Sequence, residues 1–223
     1  MRISKTPLSI IIFGRAGSGK GTQADLLAKK FKLEHFSSGE ALRKRQKVGD
    51  FTGKKLAEVM NKGIWVPEST ISKLWMDKFE EFKKKRDFKG WIYDGGPRFI
   101  LEAKLLDIAL RWYEWEKNTK FILVDISKKA AIDRLTKRRQ CKKCGELIPW
   151  VREFKNLKKC HKCGGELILR PDDKPEAIKK RLEEFQKHTL KVINYYKKQG
   201  RVIKINGEQS IENVFKDILK KIK

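Results

Sequence analysis

No apolar run in this chain approaches the roughly 18 to 20 residues that a membrane-spanning helix needs. The N-terminal apolar stretch, Leu8 to Phe13, runs straight into glycines, with no small-residue cleavage site behind it. Together these absences predict a soluble, cytoplasmic protein with no membrane partner. Internal repeats and low-complexity linkers are missing as well. A length of 223 residues suits one sizeable core plus an insert and would cramp two independent domains. Acids are scarce: 28 Asp and Glu stand against 54 Lys and Arg, a formal charge of +26. That balance favours anionic partners, phosphorylated small molecules as much as nucleic acid. The lysines are dispersed in short clusters such as Lys83-Lys84-Lys85-Arg86 and Lys197-Lys198. Dispersal predicts solvated helix faces and, toward nucleic acid, only weak nonspecific association. A base-stacking surface would interleave exposed aromatics with the basic residues, and that pattern is absent.

Cysteine is confined to one place. All four lie in Cys141-x2-Cys144 and Cys160-x2-Cys163, with fifteen residues between the pairs. Two disulfides compete with a metal site here, but a cytosolic chain with two CxxC pairs and no cysteine left over favours zinc. Four thiolates leave no open coordination position, so the expected Zn2+ is structural. His161, inside the second pair, is an inferior ligand. Gly145 and Gly164-Gly165 allow the tight turns that aim backbone N–H groups at thiolate sulfur. Residues 140–168 have little apolar content, and zinc would supply the stability they lack. A small rigid flap is expected.

The most specific feature is Leu8-Ser9-Ile10-Ile11-Ile12-Phe13-Gly14-Arg15-Ala16-Gly17-Ser18-Gly19-Lys20-Gly21-Thr22-Gln23. An apolar strand, a glycine-rich loop and a helix in that order form the context of a phosphate cradle. Gly14, Gly17, Gly19 and Gly21 let the backbone turn N–H groups around an anion, and the helix N-terminus adds about half a positive charge. Lys20 would reach the terminal phosphates of a nucleotide. The residue after the lysine, normally a Ser or Thr that holds Mg2+, is Gly21, with Thr22 one place later. Mg2+ is therefore expected to be held partly through water.

Further short apolar strands are predicted at Lys89–Asp94, Lys120–Ile126 and Arg201–Ile205, with a very short one at His35-Phe36-Ser37. Helix-period stretches occupy Ile71–Lys84, Leu101–Lys117, Lys128–Arg139, Pro175–Lys198 and Ser210–Lys221. Alternation of this kind predicts an α/β fold with a parallel five-stranded sheet covered by helices on both faces, plus the small zinc-ribbon insert. Ligands of such sheets lie beyond the carboxyl ends of the strands, which puts the glycine loop and Asp94 at one site. An Asp there would order Mg2+ through water, and Arg98 in Asp94-Gly95-Gly96-Pro97-Arg98 can clamp a phosphate with its planar fork. Arg134 and Arg138 precede the cysteine segment and Arg170 and Arg181 follow it, so a closing flap would bring both sets onto one nucleotide.

These motifs resemble the adenylate kinase family in its zinc-containing long-lid form. The resemblance rests on the glycine loop, Ser37-Ser38-Gly39-Glu40-Ala41-Leu42-Arg43, Asp94-Gly95-Gly96-Pro97-Arg98, Asp133-Arg134-x3-Arg138-Arg139, the four cysteines, and Arg170-Pro171-Asp172-Asp173 with Arg181. It implies a P-loop core of residues 1–36, 67–136 and 172–223, a monophosphate-binding segment at 37–66 and a lid at 137–171. It implies Mg-dependent transfer from ATP to AMP, giving two ADP, by a monomer. Lys20, Arg98, Arg138, Arg170 and Arg181 would stabilise the transferring group. Gly17, Ser18, Gly19, Lys20, Gly21, Thr22 and Arg138 would hold ATP, with Arg134 stacked on its base. Ser38, Arg43, Val66, Gly95, Arg98, Glu102, Arg170 and Arg181 would hold the monophosphate.

The chain departs from the family pattern at three places. Arg15-Ala16 replaces Pro-Pro in the phosphate loop. Gly96 replaces an aromatic, which is expected to widen the acceptor pocket. Glu102 stands where a Gln usually meets the acceptor base; an ionised Glu only accepts, which disfavours adenine N1 and suits guanine. A kinase for GMP, UMP or CMP is thus the near alternative, and Glu102 as a solvent-facing residue that touches no base is another. A nucleotide-switched RNA-binding protein with weak ATPase activity is the alternative of a different class.

Overall fold

The computed structural model describes residues 6–150 and 154–222. Residues 1–5 and 223 of the expected core and 151–153 of the expected lid lie outside the described residues. Strand β1, Leu8–Phe13, sits at the centre of a five-stranded sheet of order β2-β3-β1-β4-β8. The other strands are β2 (Glu34–Ser37), β3 (Gly90–Asp94), β4 (Thr119–Asp125) and β8 (Val202–Asn206), all paired in parallel. Side chains alternate across a strand. Ile11 and Phe13 therefore join Trp75, Phe79, Trp91 and Phe121 on one face, whereas Ile10 and Ile12 join Ala24, Leu27, Ile122 and Val214 on the other. Burial on both faces explains why β1 reads as a continuous apolar run from Ile10 to Phe13.

Helices α1 (Lys20–Phe31) and α9 (Ile211–Lys221) cover the second face. The first face takes α4 (Glu68–Lys83), α5 (Ile100–Trp112) and α8 (Leu190–Lys198). Two helices that the sequence reading did not separate, α2 (Ser38–Gln46) and α3 (Phe51–Asn61), fill the stretch after β2. Their apolar pattern is thin: α2 buries only Ser38 and Leu42, and α3 only Gly53 and Leu56.

The helix expected over Leu101–Lys117 stops at Trp112. Glu114 adopts φ +63° and the Trp115 N–H bonds back to Leu110 O at 2.8 Å, which turns the Trp115 ring into the aromatic core. The long helix expected from Pro175 to Lys198 is α7 (Pro175–Glu184), a π-helical turn over Phe185–Thr189, and α8. Helix α6 (Lys128–Lys137), capped by Ser127 Oγ accepting from Ala130 N, leads into the cysteine segment. There β5 (Arg139–Cys141), β6 (Leu147–Ile148) and β7 (Leu167–Ile168) form a separate antiparallel sheet of order β6-β5-β7.

Candidate active site

The loop between β1 and α1 is shaped by glycine. Gly17 and Gly19 have φ of +83° and +87°, in the left-handed region that side chains disfavour. Gly19 caps α1 without a side-chain hydrogen bond, so the first-turn N–H groups face the cleft as an anion site. Lys20 Nζ donates to Arg15 O at 3.4 Å, a contact that holds the ammonium over the loop. Burial in the cleft lowers its pKa to about 8; Asp94 opposes that shift, while Arg181, Arg98 and Arg138 deepen it.

Asp94 ends β3 opposite Ile12. Its Oδ1 is buried and has no hydrogen-bond partner among the described residues. A Cβ at Gly21 would lie 3.3 Å from Asp94 Oδ2, so a Ser or Thr there would crowd the carboxylate. A buried orphan acceptor beside a phosphate loop is the group that hydrated Mg2+ would satisfy, so the residues present fit the ion.

One cavity runs from the loop across the sheet's carboxyl edge. It is lined by Gly17, Ser18, Gly19, Lys20, Gly21 and Thr22, by Ser38, Arg43 and Val66, by Asp94, Gly95 and Arg98, and by Arg134, Arg138, Arg170 and Arg181. Glu102 is the one residue expected at the nucleotide site that is not on that wall. It lines a smaller adjoining pocket with Ser38, Leu42, Val66, Ile71 and Phe99.

Three of the arginines are organised by two carboxylates. Arg138 Nε and Nη2 donate to Asp173 at 2.8 and 2.7 Å, and Arg170 Nε and Nη2 donate to Asp172 at 2.8 and 2.6 Å. Arg181 Nη1 donates to Asp172 O at 2.9 Å and to Asp173 Oδ1 at 3.0 Å. Burial would raise the Asp172 pKa, but Arg181, Arg170 and Arg138 outweigh it and hold the group below the usual carboxylate range. Arg134 donates to Gly207 O at 2.9 Å and Gly17 O at 3.4 Å. Arg98 donates to Gly95 O at 2.7 Å and Ser38 Oγ at 3.3 Å, with its guanidinium 5.0 Å over the Trp65 ring.

The departures from the family pattern have structural answers. Arg15 turns away from the cleft, donating to Ile126 O at 3.1 Å and Asp125 Oδ1 at 3.3 Å over the Phe185 ring. Gly96 does not widen the acceptor pocket, because the Tyr93 phenol occupies the space that a side chain at position 96 would enter. The solvent-facing alternative for Glu102 is overturned: the residue is 1% exposed, accepting from Tyr93 Oη at 2.6 Å and from Arg98 N at 2.8 Å.

At the end of the small sheet, where Cys141 closes β5, all four cysteine sulfurs lie within 4.8 Å of one another. Cys141 Sγ is 3.4 Å from Cys163 Sγ, and Cys144 Sγ is 3.6 Å from Cys160 Sγ. Those separations are far longer than the ~2.05 Å of a disulfide. They match the edges of a tetrahedron built on Zn–S bonds of about 2.3 Å.

Sequence reasoning passed over Asp172 and Asp173 as functional groups, although their place directly after Arg170-Pro171 was a signal. Trp150, which lines the cavity from the lid, and Trp65 carry no motif that would single them out. Tyr93 reads simply as a strand residue.

The family model for adenylate kinase matches residues 12–201 of this chain. The chain is 38% identical over 216 residues to an adenylate kinase of Caldanaerobacter subterraneus subsp. tengcongensis, covering 96% of this chain and 95% of the relative. It is 36% identical to an adenylate kinase of Caldicellulosiruptor bescii, over 96% and 98% of the two chains. Against an adenylate kinase of Petrotoga mobilis the identity is 34%, over 95% of each chain. With the phosphate loop, the converging arginines and the four-cysteine lid in one structure, these matches show that the chain belongs to the adenylate kinase family of ATP-dependent phosphotransferases.

Proposed function

We propose that the protein is a monomeric, cytoplasmic adenylate kinase that converts Mg-bound ATP and AMP to two ADP. The observation that carries this reading is the convergence of Lys20, Arg98, Arg138, Arg170 and Arg181 on one cavity beside the glycine loop. An oxygen of the AMP phosphate forms the new bond to the γ-phosphorus as the bond to the β–γ bridging oxygen breaks. The attacking oxygen is already anionic and needs no general base, so positioning and charge neutralisation carry the step.

In this reading Gly17 to Thr22 cradle the ATP phosphates, Arg134 stacks on the donor base, and Ser38, Arg43, Val66, Gly95 and Arg98 seat the monophosphate. Asp94 would hold Mg2+ through water, and the ion would supply charge neutralisation to the transferring phosphates. Cys141, Cys144, Cys160 and Cys163 would hold a Zn2+ that is structural. Segments 37–66 and 137–171 then act as the monophosphate clamp and the lid, whose closure excludes water from the phosphoryl group. Toward nucleic acid the basic surface gives only weak, salt-sensitive affinity.

The test is incubation with Mg-ATP and, separately, AMP, GMP, CMP, UMP and dTMP, with each diphosphate quantified by chromatography. Preferential ADP formation from AMP, lost in Lys20→Met and Arg98→Ala, is the expected result. Preference for GMP would reassign the acceptor. RNA binding without transfer to any monophosphate would overturn the kinase reading.

A further inference from the structure

A buried pair flanks the turn joining β3 to α5, and its job is not explained by phosphate binding alone. Tyr93 is fully buried on β3, and its hydroxyl donates to Glu102 Oε1 at 2.6 Å. Glu102 Oε2 accepts from the backbone N–H of Arg98 at 2.8 Å, and the Phe99 N–H faces the same carboxylate. Phe99 is the N-cap of α5, so Glu102 is its third helical residue and completes the backward half of a capping box. Both oxygens of Glu102 thus accept from groups of the protein itself. The backbone it fixes is that of Arg98, whose guanidinium is aimed by Gly95 O, Ser38 Oγ and the Trp65 ring into the cavity.

Room for this arrangement exists because position 96 has no side chain. A Cβ on Gly96 would overlap Tyr93 Oη and Cζ and come within 3.0 Å of Glu102 Oε1. The φ of Gly96 is not in the left-handed region, so the glycine is required by the phenol and not by its own backbone. An ionised carboxylate accepts at both oxygens, so the Tyr93 hydroxyl and the Arg98 N–H are both satisfied as donors.

We propose that Tyr93 and Glu102 form a positioning pair for Arg98, with Gly96 as the vacancy that admits the phenol. The pair acts through Arg98 on the phosphate of the acceptor, so the proposal rests on the monophosphate-kinase reading above. Burial raises the Glu102 pKa, and the Arg98 N–H and Tyr93 hydroxyl oppose that rise; donors on both oxygens are what keep an acid at this place useful as an acceptor.

The experiment compares Tyr93→Phe, Gly96→Ala, Tyr93→Leu and Tyr93→Leu/Gly96→Ala with the parent, reading KM for AMP and for ATP, kcat, and AMP binding by calorimetry. Loss of one hydrogen bond to a charged group predicts a rise in KM and Kd for AMP of about tenfold in Tyr93→Phe, with KM for ATP unchanged. Gly96→Ala should reproduce that rise in the parent and add much less in Tyr93→Leu, where the phenol overlap is gone and only the Glu102 Oε1 contact at 3.0 Å remains. In an Arg98→Ala background, Tyr93→Phe should have no further effect on AMP binding. A purely structural role would lower the melting temperature of these variants and leave both KM values alone, and that outcome overturns the proposal. Equal rises in both KM values would overturn it too. A parent that binds no monophosphate would overturn the kinase reading and this one together, whereas a parent that turns over AMP beside unaffected variants would sink only this one.

Discussion

Arg138 and Asp173 are joined by two parallel hydrogen bonds of 2.8 and 2.7 Å across 35 residues of chain. They stand at the two roots of the lid, one after α6 and the other before α7. The Asp173 side chain is fully buried and also accepts from Arg181 at 3.0 Å, so one carboxylate ties both roots to a residue of the core helix. In the proposed reaction phosphate oxygens would share the same donors, and Asp173 would hold the arginines in place before substrate binds.

Replacing Asp173 with Ala removes that tie and leaves two arginines facing each other with less neutralisation. Breaking a buried pair by deleting one partner costs on the order of 3 kcal/mol. Chemical denaturation should show that loss, and kcat should fall more than tenfold because Arg138 and Arg181 lose their aim. Unchanged stability and turnover would show that the arginines are held by other contacts.

The Lys20 ammonium titrates near pH 8 in the ligand-free site. A lysine with a lowered pKa loses its charge earlier as pH rises, so the free enzyme should bind ATP more weakly between pH 8 and 9.5. Bound phosphate raises the same pKa, so kcat at saturating ATP should fall later than kcat/KM. A kcat/KM for ATP that stays flat through this range would refute the role given to Lys20.

Metal analysis should find zinc bound by the four thiolates, and verified removal of it should lower the melting temperature by at least ~5 °C. The lid would then become the first site of proteolysis, while the central sheet retains its far-ultraviolet signal. An identical melt for the zinc-free protein would eliminate a structural metal.

Gly14→Ala should damage the phosphate loop from its first residue. Gly14 has φ +157°, and a Cβ there would overlap Ser18 Oγ and lie 2.7 Å from Val124 O. Val124 O is backbone in β4 and cannot swing aside, so overpacking of about 1 to 3 kcal/mol is expected, with a raised KM for ATP. Wild-type stability and KM in this variant would mean that the loop relaxes freely.

Much of this was written locally. The glycine loop needs only residues adjacent in sequence, because positive φ and free N–H groups are properties of a few consecutive peptides. The paired cysteines likewise announce a metal by spacing alone. Alternating apolar strands and helices specified a parallel sheet, since β1 could be apolar at every position from Ile10 to Phe13 only if both faces were covered. Other features depended on residues far apart in the chain. Helix α5 ended at Trp112, short of the periodicity, because Trp115 found its place among Trp91, Phe79 and Tyr113.

The role of Glu102 shows the division most clearly. The sequence determined that an acceptor-only side chain stands four residues after Arg98, and nothing local could say what faces it. Tertiary structure decided that, by placing a tyrosine from the neighbouring strand in the space left by Gly96, so that the carboxylate meets a phenol and a backbone amide instead of solvent. The physical reason is that hydrogen-bond type is a property of one residue, whereas the partner that satisfies it is chosen by packing across the fold.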